Sequence, residues 1–181
     1  MGQSQIGSDN SCGIAGSQAG AASIARLIDD LTCKDVYKCR RARRTLVGMG
    51  ERVVPYLVDV LNTRKGWVRW EAAKALGQIP GAAATAALVS ALEDKDFDIR
   101  WLAAEGLISC GRDAIVPLMQ ALLEKSDSEW FREGAHHVLF DLSHEGLADL
   151  VKPVLDALED VEPALEVPLK AKALLDVIVR R

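Results

Sequence analysis

A single nine-residue phrase recurs along this chain, and its spacing constrains the fold more than any other feature. Val68-Arg69-Trp70-Glu71-Ala72-Ala73-Lys74-Ala75-Leu76 returns as Ile99-Arg100-Trp101-Leu102-Ala103-Ala104-Glu105-Gly106-Leu107, and in a more altered form as Phe131-Arg132-Glu133-Gly134-Ala135-His136-His137-Val138-Leu139. The arginines stand 31 and then 32 residues apart. A fixed period of that size signals two-helix units stacked side by side, because one such unit cannot bury its apolar face alone. The pattern specifies a shape and leaves the chemistry open.

Two registers carry the period. In the first helix of each unit, helix A, a tight slot is held by Ala42, Ala72, Ala103 and Ala135, followed one turn later by Leu46, Leu76, Leu107 and Leu139. Alanine lets a neighbouring helix come close, and leucine fills the core behind it. In the second helix, helix B, Leu57, Leu88 and Leu118 are followed at i+4 by Leu61, Leu92 and Leu122, so each pair lies on one stripe. Gly50, Gly81 and Gly111 mark the turns from A to B, where glycine tolerates positive φ. The fourth unit is longer, with 141–146 as its turn and 151–158 in its B helix. Pro153 is expected in the first part of that helix or just before its regular part.

Caps complete the array. A short helix over about 21–31, with Ile24, Leu27, Ile28 and Leu31 on one face, suits the N-terminal end. A last helix over about 168–180, begun by Pro168, suits the C-terminal end, and its surplus of apolar residues leaves a homodimer surface open. Residues 1–19 have almost nothing to bury and are expected to be flexible, which leaves 20–181 as one repeat domain. The fold class read from these patterns is all-α, a right-handed α-α superhelix of about four helical hairpins with capping helices.

Composition narrows the function classes. The net charge of −4 gives no general affinity for nucleic acid. The charge is unevenly placed, however: residues 31–66 carry nine Lys/Arg against three Asp/Glu, and residues 67–181 carry twelve against twenty. The four cysteines, Cys12, Cys33, Cys39 and Cys110, lack zinc-site spacing and point to a reduced, cytoplasmic protein, with Cys39 and Cys110 packed as small apolar residues. No apolar run reads as a membrane span, and no secretory signal is expected. Met1-Gly2 does not make a myristoylation site, since Ile6 stands where Ser or Thr is needed.

The repeated phrase resembles HEAT repeats, in particular the short Val-Arg-bearing kind called phycobilisome-lyase-like HEAT repeats. The resemblance rests on Val68-Arg69, Ile99-Arg100 and Phe131-Arg132, on the alanine pairs 72–73 and 103–104, and on the Gly-to-Leu spacing of helix B, and it covers about residues 35–160. Two positions depart from it: Cys39 stands where the first arginine would be, and His136 fills the second alanine slot of the fourth unit. The resemblance implies a helical solenoid, while the family's functions include adaptors, enzyme subunits and some enzymes. It also implies that Arg69, Arg100 and Arg132 form a structural ladder, each bonded to a carboxylate or carbonyl of a neighbouring repeat. Asp94, Asp96 and Asp98 are the expected acceptors.

Candidate surfaces follow from the two registers. Trp70 and Trp101 share one slot, expected either to lie across small residues of the adjacent A helix or to form an aromatic strip for a partner. Trp67 and Trp130 share another, expected to cover inter-repeat loops. On helix B the outward rows include Arg52, Ala83 and Asp113, then Asp59, Ser90 and Gln120, a small and nearly neutral concave floor suited to a peptide or protein. Lys38, Arg40, Arg41, Arg43 and Arg44 read as the solvated face of a helix that buries Cys39, Ala42, Leu46 and Met49, or as a dock for an acidic partner, including a second copy of the chain. His136 and His137 point about 100° apart on a helix and do not share a metal easily. His144-Glu145 is the one His-Glu pair. No catalytic residue, metal or cofactor is expected. The leading reading is a non-catalytic protein-binding scaffold. A bilin lyase-like enzyme subunit is the alternative that the resemblance raises, and a nucleic-acid-binding protein is the weaker one.

Overall fold

The computed structural model describes residues 11–180. Among them are ten α-helices and no strand: α1 Ser11–Leu31, α2 Val36–Gly48, α3 Val54–Leu61, α4 Gly66–Leu76, α5 Ala82–Ala91, α6 Phe97–Cys110, α7 Ile115–Lys125, α8 Glu129–Leu142, α9 Ala148–Leu158 and α10 Pro163–Val179. The A helices are α2, α4, α6 and α8, and each packs beside the next in one layer. The B helices α3, α5 and α7 form a second layer. Helices α3 and α5 also pack against the A helix that follows them, so each unit completes the core of its successor. This is a helical solenoid.

Burial follows the repeated slots. The alanine series at 42, 72, 103 and 135 and the leucine series at 46, 76, 107 and 139 are buried, as are Leu57, Leu88 and Leu118. The A-to-B turns bend at Gly50, Gly81, Gly111 and Gly146, all with positive φ, and no other residue type adopts it among the described residues. On the A layer Gly77, which caps α4, faces Gly106 of α6 so closely that a Cβ on Gly106 would stand 3.0 Å from the Gly77 Cα. The side chain of Asp35 caps α2 through the backbone N–H groups of Tyr37 (2.9 Å) and Lys38 (3.2 Å), and Ser128 caps α8 through Phe131 (3.3 Å).

The ends differ from expectation in instructive ways. Helix α1 begins at Ser11, upstream of the expected start near residue 21; residues 1–10 lie outside the described part, so the flexible 1–19 segment stays an expectation. Helix α10 begins with Pro163, and Pro168 lies inside it rather than at its start. Pro153 likewise falls in the middle of α9. Each proline removes one backbone hydrogen bond. Burial of Val151 and Val154 on α9, and of Val167, Ala171 and Leu174 on α10, offsets that loss.

The placement of α10 is the larger surprise. It packs closely on α7 and on α9, whereas α9 packs on α8 and α10. The last helix therefore takes the place beside α7 that α9 would hold in a regular fourth unit. The irregular turn Ser143–Leu147 between α8 and α9 gives the chain the extra length to do this.

One stretch, Phe97–Lys125, has the length and hydropathy of a membrane span by composition, contrary to the sequence expectation. Gly111 (φ 59°, ψ −131°) divides it into α6 and α7. At 14 residues α6 is about 21 Å long, short of a bilayer core of about 30 Å.

Candidate partner-binding surfaces

The arginine ladder is structural, and it obeys a rule. In each of the three arginines Nη1 donates to the carbonyl six residues upstream: Arg69 to Thr63 (3.0 Å), Arg100 to Asp94 (2.9 Å) and Arg132 to Ser126 (2.6 Å). The fourth position of helix A thus closes the loop that leads into it. Arg69 does more. Its Nε donates to Asp94 Oδ2 (2.8 Å), and its Nη2 donates to Asp94 Oδ1 (3.0 Å) and Asp96 Oδ2 (2.5 Å) of the next inter-repeat loop. The Arg69 side chain is only 4% exposed, and Asp94 only 11%. The hydrogen bonds that Arg69 donates to Asp94 hold its guanidinium above the usual pKa, against the opposing effect of burial. Asp98, the third expected acceptor, bonds none of the three; it is exposed in the first turn of α6. Asp96 sits at the N-cap position of α6 but spends its carboxylate on Arg69 rather than on the cap.

The tryptophans lie on the A layer. Trp101 is 47% exposed and stacks on His137 of α8 (centroids 4.6 Å, 27°), while Phe97, one turn earlier, is 62% exposed. The indole therefore covers an imidazole of the adjacent A helix, not the small residues expected there. Trp70 is half-buried and carries the ammonium of its own Lys74 at 4.3 Å from the ring centroid. Trp130 takes the Arg100 guanidinium at 4.7 Å from its ring centroid. Trp67, Trp70 and Phe97 line one open cavity of about 670 Å³ between α4 and α6. Phe140 extends the row on α8, flanked by His136 and His144. The repeated phrase points to an aromatic strip at Trp70 and Trp101 but not to Phe97 and Phe140, which lie outside it and whose exposure depends on helix rotation.

On the B layer, Arg52, Asp59, Ala83, Ser90, Asp113 and Gln120 are all exposed. Ser90 lines a shallow cleft of about 260 Å³ between α3 and α5. The largest cavity, about 720 Å³, lies where the A-to-B turns of the second and third units meet, and it includes Thr85, Cys110, Arg112 and Asp113. The outer surface here is built of small and polar side chains, as the sequence indicates.

The basic helix splits by face. Cys39, Ala42 and Leu46 are buried, and Met49 partly so. Arg43 forms an ion pair with Glu71 of α4, and Lys38 pairs with Asp30 of α1 at 2.8 Å. Arg40, Arg41 and Arg44 stay exposed, with no carboxylate partner among the described residues.

Histidine and cysteine chemistry is local. His136 Nε2 lies 2.9 Å from Glu159, and His137 Nε2 lies 3.3 Å from Glu105, so the adjacent histidines face different partners. His144 of the irregular turn contacts the Phe140 carbonyl at 2.9 Å. No metal-holding group of His, Cys, Asp and Glu occurs among the described residues. The Cys39 thiol donates to the Leu31 carbonyl at 3.2 Å. Burial, reinforced by Glu71, pushes its pKa up to about 12. At neutral pH this cuts its thiolate fraction about a thousandfold relative to an ordinary thiol. Iodoacetamide is expected to label the partly exposed Cys33 and Cys110 in the native protein and to leave Cys39 unmodified until denaturant is added; peptide mapping by mass spectrometry reads this directly.

The family comparison agrees with the architecture. Residues 24–108 match a family model described as HEAT repeats. The chain matches no curated protein. Among solved structures it is similar to the crystal structure of an engineered protein from a structural genomics consortium, at 18% identity and a TM-score of 0.40, covering 88% of this chain and 83% of that one.

Proposed function

We propose that this chain, whose residues 24–108 are HEAT repeats, is a non-catalytic scaffold that binds another protein through the aromatic row of its A helices. One observation carries this reading: Trp67, Phe97, Trp101, Trp130 and Phe140 are all substantially exposed on three consecutive A helices. Large aromatic side chains supply most of the binding energy at protein interfaces, because they remove much apolar area from water and lose few rotamers in doing so. The six residues named on the B layer offer little of either. Of the large apolar side chains on that layer only Tyr56 and Leu123, each 37% exposed, reach the surface among the described residues, so it serves as a secondary contact. Three free thiols at Cys33, Cys39 and Cys110 suit a reducing compartment such as the cytoplasm.

The test separates the two faces. Crosslinked capture from the native cell extract is compared for the wild-type chain, for Phe97→Ala/Trp101→Ala, and for Ser90→Arg/Gln120→Arg. A protein captured by the wild type is expected to be lost from the first variant, with affinity reduced about 30-fold or more, and retained by the second. Retention by the first and loss from the second would transfer the site to the B layer. A chain that captures no protein under any condition, yet turns over a small molecule, would refute the scaffold reading.

A further inference from the structure

The first A helix and the C-terminal end of the stack carry opposite charge beside exposed apolar side chains. Val36 and Tyr37 are 66% and 84% exposed on the first turn of α2, against which α1 packs as the N-terminal cap. Arg40, Arg41 and Arg44 continue the same solvent-facing side of that helix, which contains five basic and no acidic residues. At the C-terminal end, Val161, Leu165 and Leu169 are 94%, 65% and 63% exposed. Residues 141–180 hold nine Asp/Glu against four Lys/Arg.

Shape accompanies charge at the C-terminal end. A groove of about 520 Å³ runs between α9 and α10, with Pro153 and Ala157 among its lining and Asp156, Asp160 and Glu166 beside them. The two lysines that also line it are already engaged: Lys152 pairs with Asp156 at 2.9 Å and Lys170 approaches Glu166 at 4.0 Å. The groove can receive a ring such as Tyr37, while its carboxylates face incoming guanidinium groups.

We propose that the Tyr37–Arg44 side of α2 in one copy of this chain docks against the α9–α10 end of a second copy, giving head-to-tail association. The contact joins two different patches, so it builds open assemblies unless the rotation between copies closes a ring. Tyr37 supplies the apolar anchor, and the arginines fix orientation and exclude a head-to-head arrangement by like-charge repulsion. Tyr37 and Arg40 hold the helix-A slots that Trp67 and Trp70 hold in α4, so the joint adjoins the aromatic row on the same layer.

Sedimentation velocity of the full chain across a concentration series tests this, at low salt and at about 0.5 M salt, where exposed charges are strongly screened. Species larger than a monomer are expected at low salt and dissociate as salt rises. Two charge-reversed variants are then compared: a head variant, Arg40→Glu/Arg41→Glu/Arg44→Glu, and a tail variant, Asp156→Lys/Asp160→Lys/Glu166→Lys. Each alone is expected to associate about a hundredfold more weakly, because like charges now meet at the joint. Mixing the two variants is expected to restore a complex, since the reversed head complements the reversed tail. Circular dichroism verifies that each variant is folded, and Tyr37→Ala, which leaves the charge unchanged, is expected to weaken association on its own. A wild-type chain that stays monomeric at low salt and high concentration overturns the proposal, including the case in which its arginines bind nucleic acid instead. Assemblies indifferent to both reversals, or reversed variants that do not recombine, overturn it as well.

Discussion

Replacing Arg69 with alanine is expected to destabilise the protein by about 3–5 kcal/mol, the cost of removing one partner from a buried ion pair. The Arg69 guanidinium satisfies the carbonyl of Thr63, both oxygens of Asp94 and one oxygen of Asp96. Without it, Asp94 is left almost buried with its charge uncompensated, because no other cation pairs with it among the described residues. For a chain of this size the melting temperature should fall by about 10 °C. The same substitution removes one bond to a carbonyl at Arg132 and the bonds to the Asp94 and Lys95 carbonyls at Arg100; both arginines are part-exposed, and each change should cost about 1 kcal/mol. A double variant tests the cause. Asp94→Asn keeps the acceptor for the Asp96 amide, which Asp94 Oδ1 receives at 2.9 Å, while deleting the orphaned charge. Arg69→Ala/Asp94→Asn should therefore be more stable than Arg69→Ala alone, by about 1–2 kcal/mol in urea unfolding. Equal stability of the two would mean that Arg69 acts through packing rather than through charge.

Gly106→Val is expected to be the second severe change. A Cβ at Gly106 would stand 3.0 Å from the Gly77 Cα of α4 and 2.9 Å from Leu88 Cδ1 of α5. The first of these is backbone and cannot turn aside, and Leu88 is fully buried. Valine must therefore push α4 and α6 apart, with a cost of about 3 kcal/mol or more from overpacking. Alanine adds only the Cβ and gains about 1 kcal/mol of helix propensity over glycine, so Gly106→Ala should fall between the wild type and Gly106→Val. Valine at Gly48, where nothing lies within 4 Å of the added Cβ, serves as the control and should leave stability close to that of the wild type. Thermal melts of the three variants order them.

These two residues also show where reading the chain by its period succeeds and where it stops. Leu46, Leu76, Leu107 and Leu139 lie at one slot and are buried alike, because every A helix presents that slot to the same kind of neighbour. The glycine turns and the helix-B leucines follow for the same reason. Arg69, Arg100 and Arg132 also share a slot, and all three make the local bond to the carbonyl six residues upstream. They differ in everything that comes from the next loop. Asp94 and Asp96 meet Arg69, while 32 residues further on the corresponding loop offers Ser126 and Ser128. The contact between Gly77 and Gly106 joins residues at different slots, so no alignment of the units reveals it.

The surfaces were less legible than the core. That Arg52, Asp59, Ala83, Ser90, Asp113 and Gln120 face outward could be read from the helix-B stripe. The shared slot of Trp70 and Trp101 on the other layer could be read as well, but its extension by Phe97 and Phe140 could not, because neither has a repeated counterpart, nor could the rest of Trp101 on a histidine from a divergent unit. Local spacing determined the helices, their turns and the stripe each one buries, since those depend on neighbours a fixed number of residues away. The tertiary structure alone decided that α10 covers α7 in place of α9, that α4 and α6 meet at two glycines, and that one arginine of three is locked between loops. Those outcomes depend on which segments come together across the stack, and a period of about 31 residues repeats the units without stating how the last of them closes.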